Sequence, residues 1–153
     1  MENIWKEYNE EGNLIYYKTS TGFEEWREYD ENGNMIHYKN TNGIESWNDY
    51  DERGNCIHSK SFNGFEVWDE YNEKNNLIYR KNSYGDEEFW KYDDNGNEIY
   101  YKDINREEEW KEYNDKGLII HHKMSDDYEE FWEYNDRGRV IKHIECFNRD
   151  KED

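Results

Sequence analysis

The sequence contains no proline and no alanine. Without alanine, and with tyrosine in excess, its short apolar runs are poor helix formers. Long apolar runs are missing as well. No stretch of 18 residues is apolar enough for a transmembrane helix. The opening segment MENIWKEYNEEGN has no basic flank followed by an apolar stretch. A secretory leader is therefore not expected, and the expected location is cytoplasmic or reached by a non-classical route. Cysteine is scarce: Cys56 and Cys146 form no CxxC and no spacing framework. That disfavours a disulfide scaffold and a zinc site and fits a reducing compartment. Basic side chains number 20 against 39 acidic ones, a net charge of −19 with a pI near 4.6. Such a surface repels nucleic acid and anionic membranes. Leu, Ile, Val and Phe together are only 23 of 153 residues, a fraction found in disordered chains. Seven Trp and fifteen Tyr point the other way.

The aromatic residues are placed with strict regularity. Tyr8, Tyr29, Tyr50, Tyr71, Tyr92, Tyr113 and Tyr134 lie 21 residues apart. The same step relates Ile15, Ile36, Ile57, Ile78, Ile99, Ile120 and Ile141. It relates Trp5, Trp26, Trp47, Trp68, Phe89, Trp110 and Phe131 too, with Trp90 and Trp132 one place beyond the two Phe. Lys18, Lys39, Lys60, Lys81, Lys102 and Lys123 keep the period, as do Glu24, Glu45, Glu66, Glu87, Glu108 and Glu129. Seven copies fill residues 1–153 as a single repeat domain with no room for a second.

Gly12, Gly33, Gly54, Gly96, Gly117 and Gly138 share one position, taken once by Asn75. Both residue types tolerate positive φ. An Asx residue opening a type I turn that closes on a left-handed Gly gives a three-residue hairpin loop. A second turn falls near Gly22, Gly43, Gly64 and Gly85, twice as Asn-Gly, a strong hairpin signal. Between turns lie runs of about seven residues rich in Trp, Tyr, Ile and His, which read as strands. The expected fold is all-β: tandem 21-residue β-hairpins in an antiparallel meander, coiled into a spiral or tube, with a flatter open sheet as the alternative.

Register follows from loop length. A three-residue loop at Gly12 pairs Tyr8 with Leu14 and Trp5 with Tyr17. A two-residue loop at Thr21-Gly22 pairs Tyr17 with Trp26 and keeps each face constant. A three-residue loop there instead pairs Tyr16 with Trp26 and sets Lys18 opposite Glu24, but breaks the parity of the faces. The mixed pattern places the Trp/Phe series, the Ile series and Tyr17 on an interior face, with the Lys18 series outside. The last repeats drift: Arg106, Asp127 and Asn148 replace the second-turn Gly and Ile144 replaces Lys, as in a degenerate capping repeat.

The segments YDENGNMIHY (29–38) and YDDNGNEIYY (92–101) resemble YD repeats, also called RHS repeats, whose mark is Tyr-Asp-x-x-Gly at a period of about twenty-one residues. Asn replaces the Asp at Asn9, Asn72, Asn114 and Asn135. The resemblance implies a β-sheet spiral. Large members of that family form hollow shells around cargo, and smaller arrays take part in surface and carbohydrate interactions. A weaker similarity is to the aromatic hairpin repeats of choline- and cell-wall-binding modules.

The candidate chemistries all carry the repeat period. Asp30-x-Asn32-Gly33 resembles the middle of a calcium loop, but Lys39 stands where the bidentate Glu belongs. His37 and His58 share one position, His122 and His143 another. Equivalent residues lie two strands apart, about 9.5 Å, too far to share a metal. The periodic acids Glu7, Glu28, Asp49, Glu70, Glu112 and Glu133 form no unique constellation. The expectation is a non-enzymatic structural or protein-interaction scaffold with no catalytic residue, metal or cofactor. The alternative is a carbohydrate- or choline-type binding module built on the repeated aromatics. Partners are expected to be another protein or a glycan, and the chain to be monomeric.

Overall fold

A computed structural model of the chain describes residues 3–147. It is all-β. The strands are β1 (Ile4–Tyr8), β2 (Leu14–Thr19), β3 (Glu24–Tyr29), β4 (Met35–Asn40), β5 (Glu45–Tyr50), β6 (Cys56–Ser61) and β7 (Glu66–Tyr71). They continue as β8 (Leu77–Asn82), β9 (Glu87–Tyr92), β10 (Glu98–Lys102), β11 (Glu108–Tyr113), β12 (Ile119–Met124), β13 (Tyr128–Tyr134) and β14 (Val140–Phe147). All fourteen form one open antiparallel meander in sequence order. By compactness the chain divides into Met1–Tyr71 with Lys81–Gly85, and Asn72–Arg80 with Asp86–Asp153. The same local rules build each unit.

The first turn of each repeat is the expected three-residue loop. The Asn9 N–H donates to the Asn13 carbonyl at 3.0 Å and the Gly12 N–H to the Asn9 carbonyl at 3.1 Å. The opening Asx side chain holds the loop. Asp30 Oδ1 accepts from the backbone N–H of Asn32 and of Asn34, each at 2.9 Å, and its Oδ2 accepts from Asn34 Nδ2 at 3.0 Å. Gly33 closes that loop at φ 84°, where a Cβ is strained. Asn75 takes the same conformation at φ 62°.

The second turn is also a three-residue loop, not the expected two-residue one. The Thr19 N–H donates to the Phe23 carbonyl at 2.9 Å, and the Gly22 N–H to the Thr19 carbonyl at 3.1 Å. Lys18 therefore faces Glu24, and Tyr16 faces Trp26. The Asn-Gly pair misleads because Asn42-Gly43 sits inside a loop opened one residue earlier, by Asn40. Asn40 Oδ1 accepts from the N–H groups of Asn42 and Ile44. Arg106 and Asp127 keep positive φ, 68° and 65°, so the drifted repeats preserve the loop. Asn148 lies outside the described residues.

Two three-residue loops alone would turn each repeat over relative to the last. A β-bulge in the first hairpin prevents it. Tyr8 pairs with Leu14 and Glu7 with Tyr16, so Ile15 is skipped. The same skip falls on Ile36, Ile57, Ile99, Ile120 and Ile141. The Ile series thus marks the bulge. One extra residue on one strand restores the parity that the loops break.

A bulge interrupts the ladder and leaves backbone groups to be satisfied elsewhere. The Tyr series supplies the partner. The hydroxyl of Tyr29 donates to the Leu14 carbonyl and that of Tyr50 to the Met35 carbonyl, both at 3.1 Å. Tyr113 donates to Glu98 at 2.8 Å and Tyr134 to Ile119 at 2.7 Å. Each accepting carbonyl lies just before the bulged Ile of the preceding repeat. A further tie links Thr41 to Glu24, through a backbone bond at 2.9 Å and a hydroxyl bond at 3.1 Å. Ser83 and Ser125 repeat it on Glu66 and Glu108.

The expected core of Trp, Phe and Ile does not form. Among the described residues no aliphatic or aromatic side chain is buried; the buried residues are Thr19 and Asn40. Cross-strand pairs, backbone ladders and hydroxyl ties therefore carry the cohesion that a core would supply.

Replacing Tyr113 by Phe removes one hydroxyl–carbonyl bond and should cost about 1 kcal/mol in urea unfolding. Tyr8, 55% exposed in the first hairpin, is the internal control: Tyr8→Phe should shift stability by less than about 0.5 kcal/mol.

Candidate functional site

Alternation along the strands gives the sheet two faces. One carries the Trp/Phe, Lys18 and Glu24 series in repeating rows. A row in the first unit reads Glu7, Tyr16, Trp26, Lys39, Glu45 across β1 to β5. The next reads Glu28, His37, Trp47, Lys60, Glu66. In the second unit Lys91, Tyr100, Trp110, Lys123 and Glu129 follow the same order. Each row is a charged group, a Tyr or His ring, an indole, a lysine and a carboxylate.

From Trp26 onward each ring of the series meets the Tyr or His ring on the preceding strand. Tyr16 and Trp26 have centroids 5.7 Å apart. His37 stacks on Trp47 at 5.3 Å and 13°, and His58 on Trp68 at 5.2 Å and 11°. His121 stacks on Phe131 at 4.4 Å and 6°. On a one-sided face this contact leaves much of each ring free. Trp5, Trp26, Trp47, Trp68, Phe89, Trp110 and Phe131 remain 36–49% exposed. The physical reason the expected interior fails is the bulge. It sets Trp5 opposite Lys18 and moves Tyr17 to the other face, opposite Lys6.

The invariant Lys and Glu now have a cause. Lys18 Nζ meets Glu24 at 2.7 Å, Lys60 meets Glu66 at 3.1 Å, Lys102 meets Glu108 at 2.8 Å and Lys123 meets Glu129 at 2.6 Å. The Lys18 ammonium, together with the Tyr16 hydroxyl, holds the Glu24 carboxyl below its ordinary value. Glu66 is lowered by Lys60 and then by His58. His37 lies between Glu28 on Nδ1 at 3.2 Å and Glu45 on Nε2 at 2.9 Å. Burial works against its charged form, but the two carboxylates outweigh it and the pKa is raised. His58 is raised by Asp49 first and by Glu66 as well.

The opposite face carries the Tyr series and a denser polar network. Asn40 Nδ2 donates to the Tyr38 hydroxyl at 2.9 Å, and that hydroxyl donates to Glu25 at 3.0 Å. Arg27 pairs with Glu25 and lies over the Tyr38 ring. Trp90 and Trp132 belong here, against Tyr101 and His143. The calcium-like turn is committed to itself: both oxygens of Asp30 already accept bonds from within the loop. Those bonds, that of Asn34 first, keep its carboxyl below the usual range. The functional surface that sequence reasoning placed inside is thus the exposed indole–carboxylate face. The signal available in sequence was the shared parity of Trp26, Glu24 and Glu28.

Comparison with solved structures shows the same fold. A crystal structure of TcdB2-TccC3-TEV superposes with a TM-score of 0.70 at 16% identity, covering 94% of this chain and 9% of that one. TcdB2-TccC3 gives a TM-score of 0.62 at 13% identity, covering 94% and 9%. TcdB2-TccC3-Cdc42 gives 0.56 at 12%, covering 93% and 11%. The chain therefore spans about a tenth of the length of these proteins. No family model and no curated protein matches the sequence.

The two kinds of shift set opposite pH limits. The raised imidazoles of His37 and His58 contribute stability that is complete below their ordinary value of 6.5 and is lost as pH rises through the raised values. The lowered carboxyls of Glu24, Glu66, Glu108 and Glu129 contribute stability that is present above 4.5 and is lost as pH falls through the lowered values. Melting temperature should peak between those limits. The double variant His37→Gln/His58→Gln should flatten the decline above pH 6.5 while leaving the acid limb carried by Glu24, Glu108 and Glu129.

Proposed function

We propose that the chain is a non-enzymatic repeat scaffold that holds a basic protein partner along its indole–carboxylate face. The observation carrying this reading is the phased series of half-exposed Trp and Phe rings, each with at least one carboxylate two residues away on its own strand. A flat ring beside acids suits the alkyl stem and charge of Lys or Arg. Successive rings recur two strands across and two residues along, about 12 Å apart, so an extended chain meets the same site repeatedly and gains avidity. The net charge of −19 draws a basic partner from a distance and opposes self-association, which supports a monomeric scaffold. The Tyr-Asp-x-x-Gly segments and the shared fold of the TcdB2-TccC3 chains support placing it among YD-type repeats.

A glycan or quaternary ammonium ligand is the second reading, favoured by the same ring exposure. The discriminating experiment titrates the protein with a Lys-rich peptide, with choline and with oligosaccharides while following Trp emission. The scaffold reading expects peptide binding that weakens with salt and drops at least tenfold in Trp26→Ala/Trp47→Ala/Trp68→Ala. Response to choline or sugar alone, or peptide binding unchanged in the triple variant, would overturn it.

A further inference from the structure

The repeats are not equivalent on the Tyr-bearing face. The register aligns His122, Glu130 and Glu145 across β12, β13 and β14. His143 lies two residues before Glu145 on the same face. Glu130 holds both flanking imidazoles: His122 Nδ1 at 3.4 Å on one carboxylate oxygen and His143 Nε2 at 3.2 Å on the other. Glu145 approaches His143 Nδ1 at 3.8 Å.

In two earlier repeats the acid at this position has a fixed cation two residues on, while Glu88 has Trp90 there and accepts instead from the Tyr101 hydroxyl at 2.7 Å. Glu25 has Arg27, and Glu109 has Lys111 at 3.4 Å. At Glu130 that place is taken by Trp132. The carboxylate instead faces a second one, Glu145. Like charges directly opposed across strands are unfavourable. What sets Glu130 apart is its surroundings: two imidazoles, His122 and His143, and a facing acid, Glu145.

We infer that Glu130, His143 and Glu145 bind one divalent first-row transition metal ion, with Zn²⁺ as the type. One ligand atom from each lies within 4.8 Å of the others. A point between them is then at most about 2.8 Å from each, and modest side-chain rotation brings them to the ~2.0–2.2 Å of Zn–N and Zn–O bonds. Among the described residues this is the one set of His, Cys, Asp and Glu that converges so closely. At His143, as at His37 and His58, the two acids approach opposite ring nitrogens, but only at His143 do one ligand atom from each acid and one from the imidazole all come within 4.8 Å. One imidazole with two carboxylates suits Zn²⁺ and its neighbours better than Ca²⁺, which prefers an all-oxygen shell. His122, bonded to the second oxygen of Glu130, orients that ligand, and its other nitrogen is fixed by Glu109 at 3.2 Å. The spacing of His122 and His143 across two strands does keep them from sharing an ion, but a carboxylate stands between them. This site is independent of the indole face on the other side of the sheet.

Calorimetric titration of the full chain with ZnCl₂, and separately with NiCl₂ and CaCl₂, tests it. One Zn²⁺ or Ni²⁺ should bind per chain, with Ca²⁺ at least tenfold weaker. His143→Gln and the exposed-edge Glu145→Gln should each weaken Zn²⁺ at least tenfold, with His37→Gln/His58→Gln unchanged. Trp132 stacks on His143 at 4.9 Å and 11°, so Ni²⁺ should quench a component of Trp emission that Trp132→Phe abolishes. Circular dichroism identifies any variant that fails to fold, and the remaining variant then decides. No saturable site, or Zn²⁺ affinity unchanged in the folded His143→Gln or Glu145→Gln protein, would overturn the inference.

Discussion

The structure depends on a parity constraint. Side chains alternate between faces, so a sheet of identical hairpins keeps identical faces only if loops and strands together preserve alternation. Both loops here are three residues long, which alone would invert each repeat. The single unpaired isoleucine of the first hairpin cancels the inversion. Everything periodic about the surface follows: indoles kept on one face, lysine set against glutamate, and the hydroxyls of Tyr29, Tyr50, Tyr113 and Tyr134 on the carbonyl beside the preceding bulge. The bulge and the tyrosine are complementary, since one frees a backbone acceptor and the other occupies it.

A sheet held this way has no need of a buried apolar core. Each cross-strand pair contributes only about 0.2–1 kcal/mol, and exposed ion pairs contribute little singly. Their repetition makes them effective. Glu24 accepts from Lys18 and Tyr16, and Glu66 from Lys60 and His58, so one ordered carboxylate serves two partners. Repeat arrays in general sum small nearest-neighbour terms in this manner. The composition, poor in Leu, Ile, Val and Phe yet rich in Tyr and Trp, fits such an economy of surfaces.

The 21-residue period, the Gly12-type turn with its Asx opening, the strand positions and the pairing of Tyr8 with Leu14 could all be read from the sequence, because each depends on local residue chemistry. The second loop could not, because Asn42-Gly43 carries the signal of a two-residue turn while Asn40 makes the bonds that fix a longer one. The bulge left no compositional mark, since isoleucine is an ordinary strand residue and nothing local says it lacks a partner. Missing that one residue reversed the faces and turned an exposed indole row into an expected core. The constant Lys18 and Glu24 positions held the correction, because their attraction required the longer loop. The metal-type cluster was hidden for a different reason. It rests on Glu130, His143 and Glu145, which only the register of the last two strands brings together.

Ile57 acts through backbone count rather than side-chain burial, and 37% of it is exposed. The most direct measurement therefore compares urea unfolding of Ile57→Ala with that of a chain lacking residue 57 altogether. Truncation keeps the bulge and is predicted to cost about 1–2 kcal/mol. Deletion removes the bulge, opposes the faces on either side and is predicted to abolish the cooperative transition. A deletion variant that unfolds cooperatively with the stability of Ile57→Ala would contradict the account.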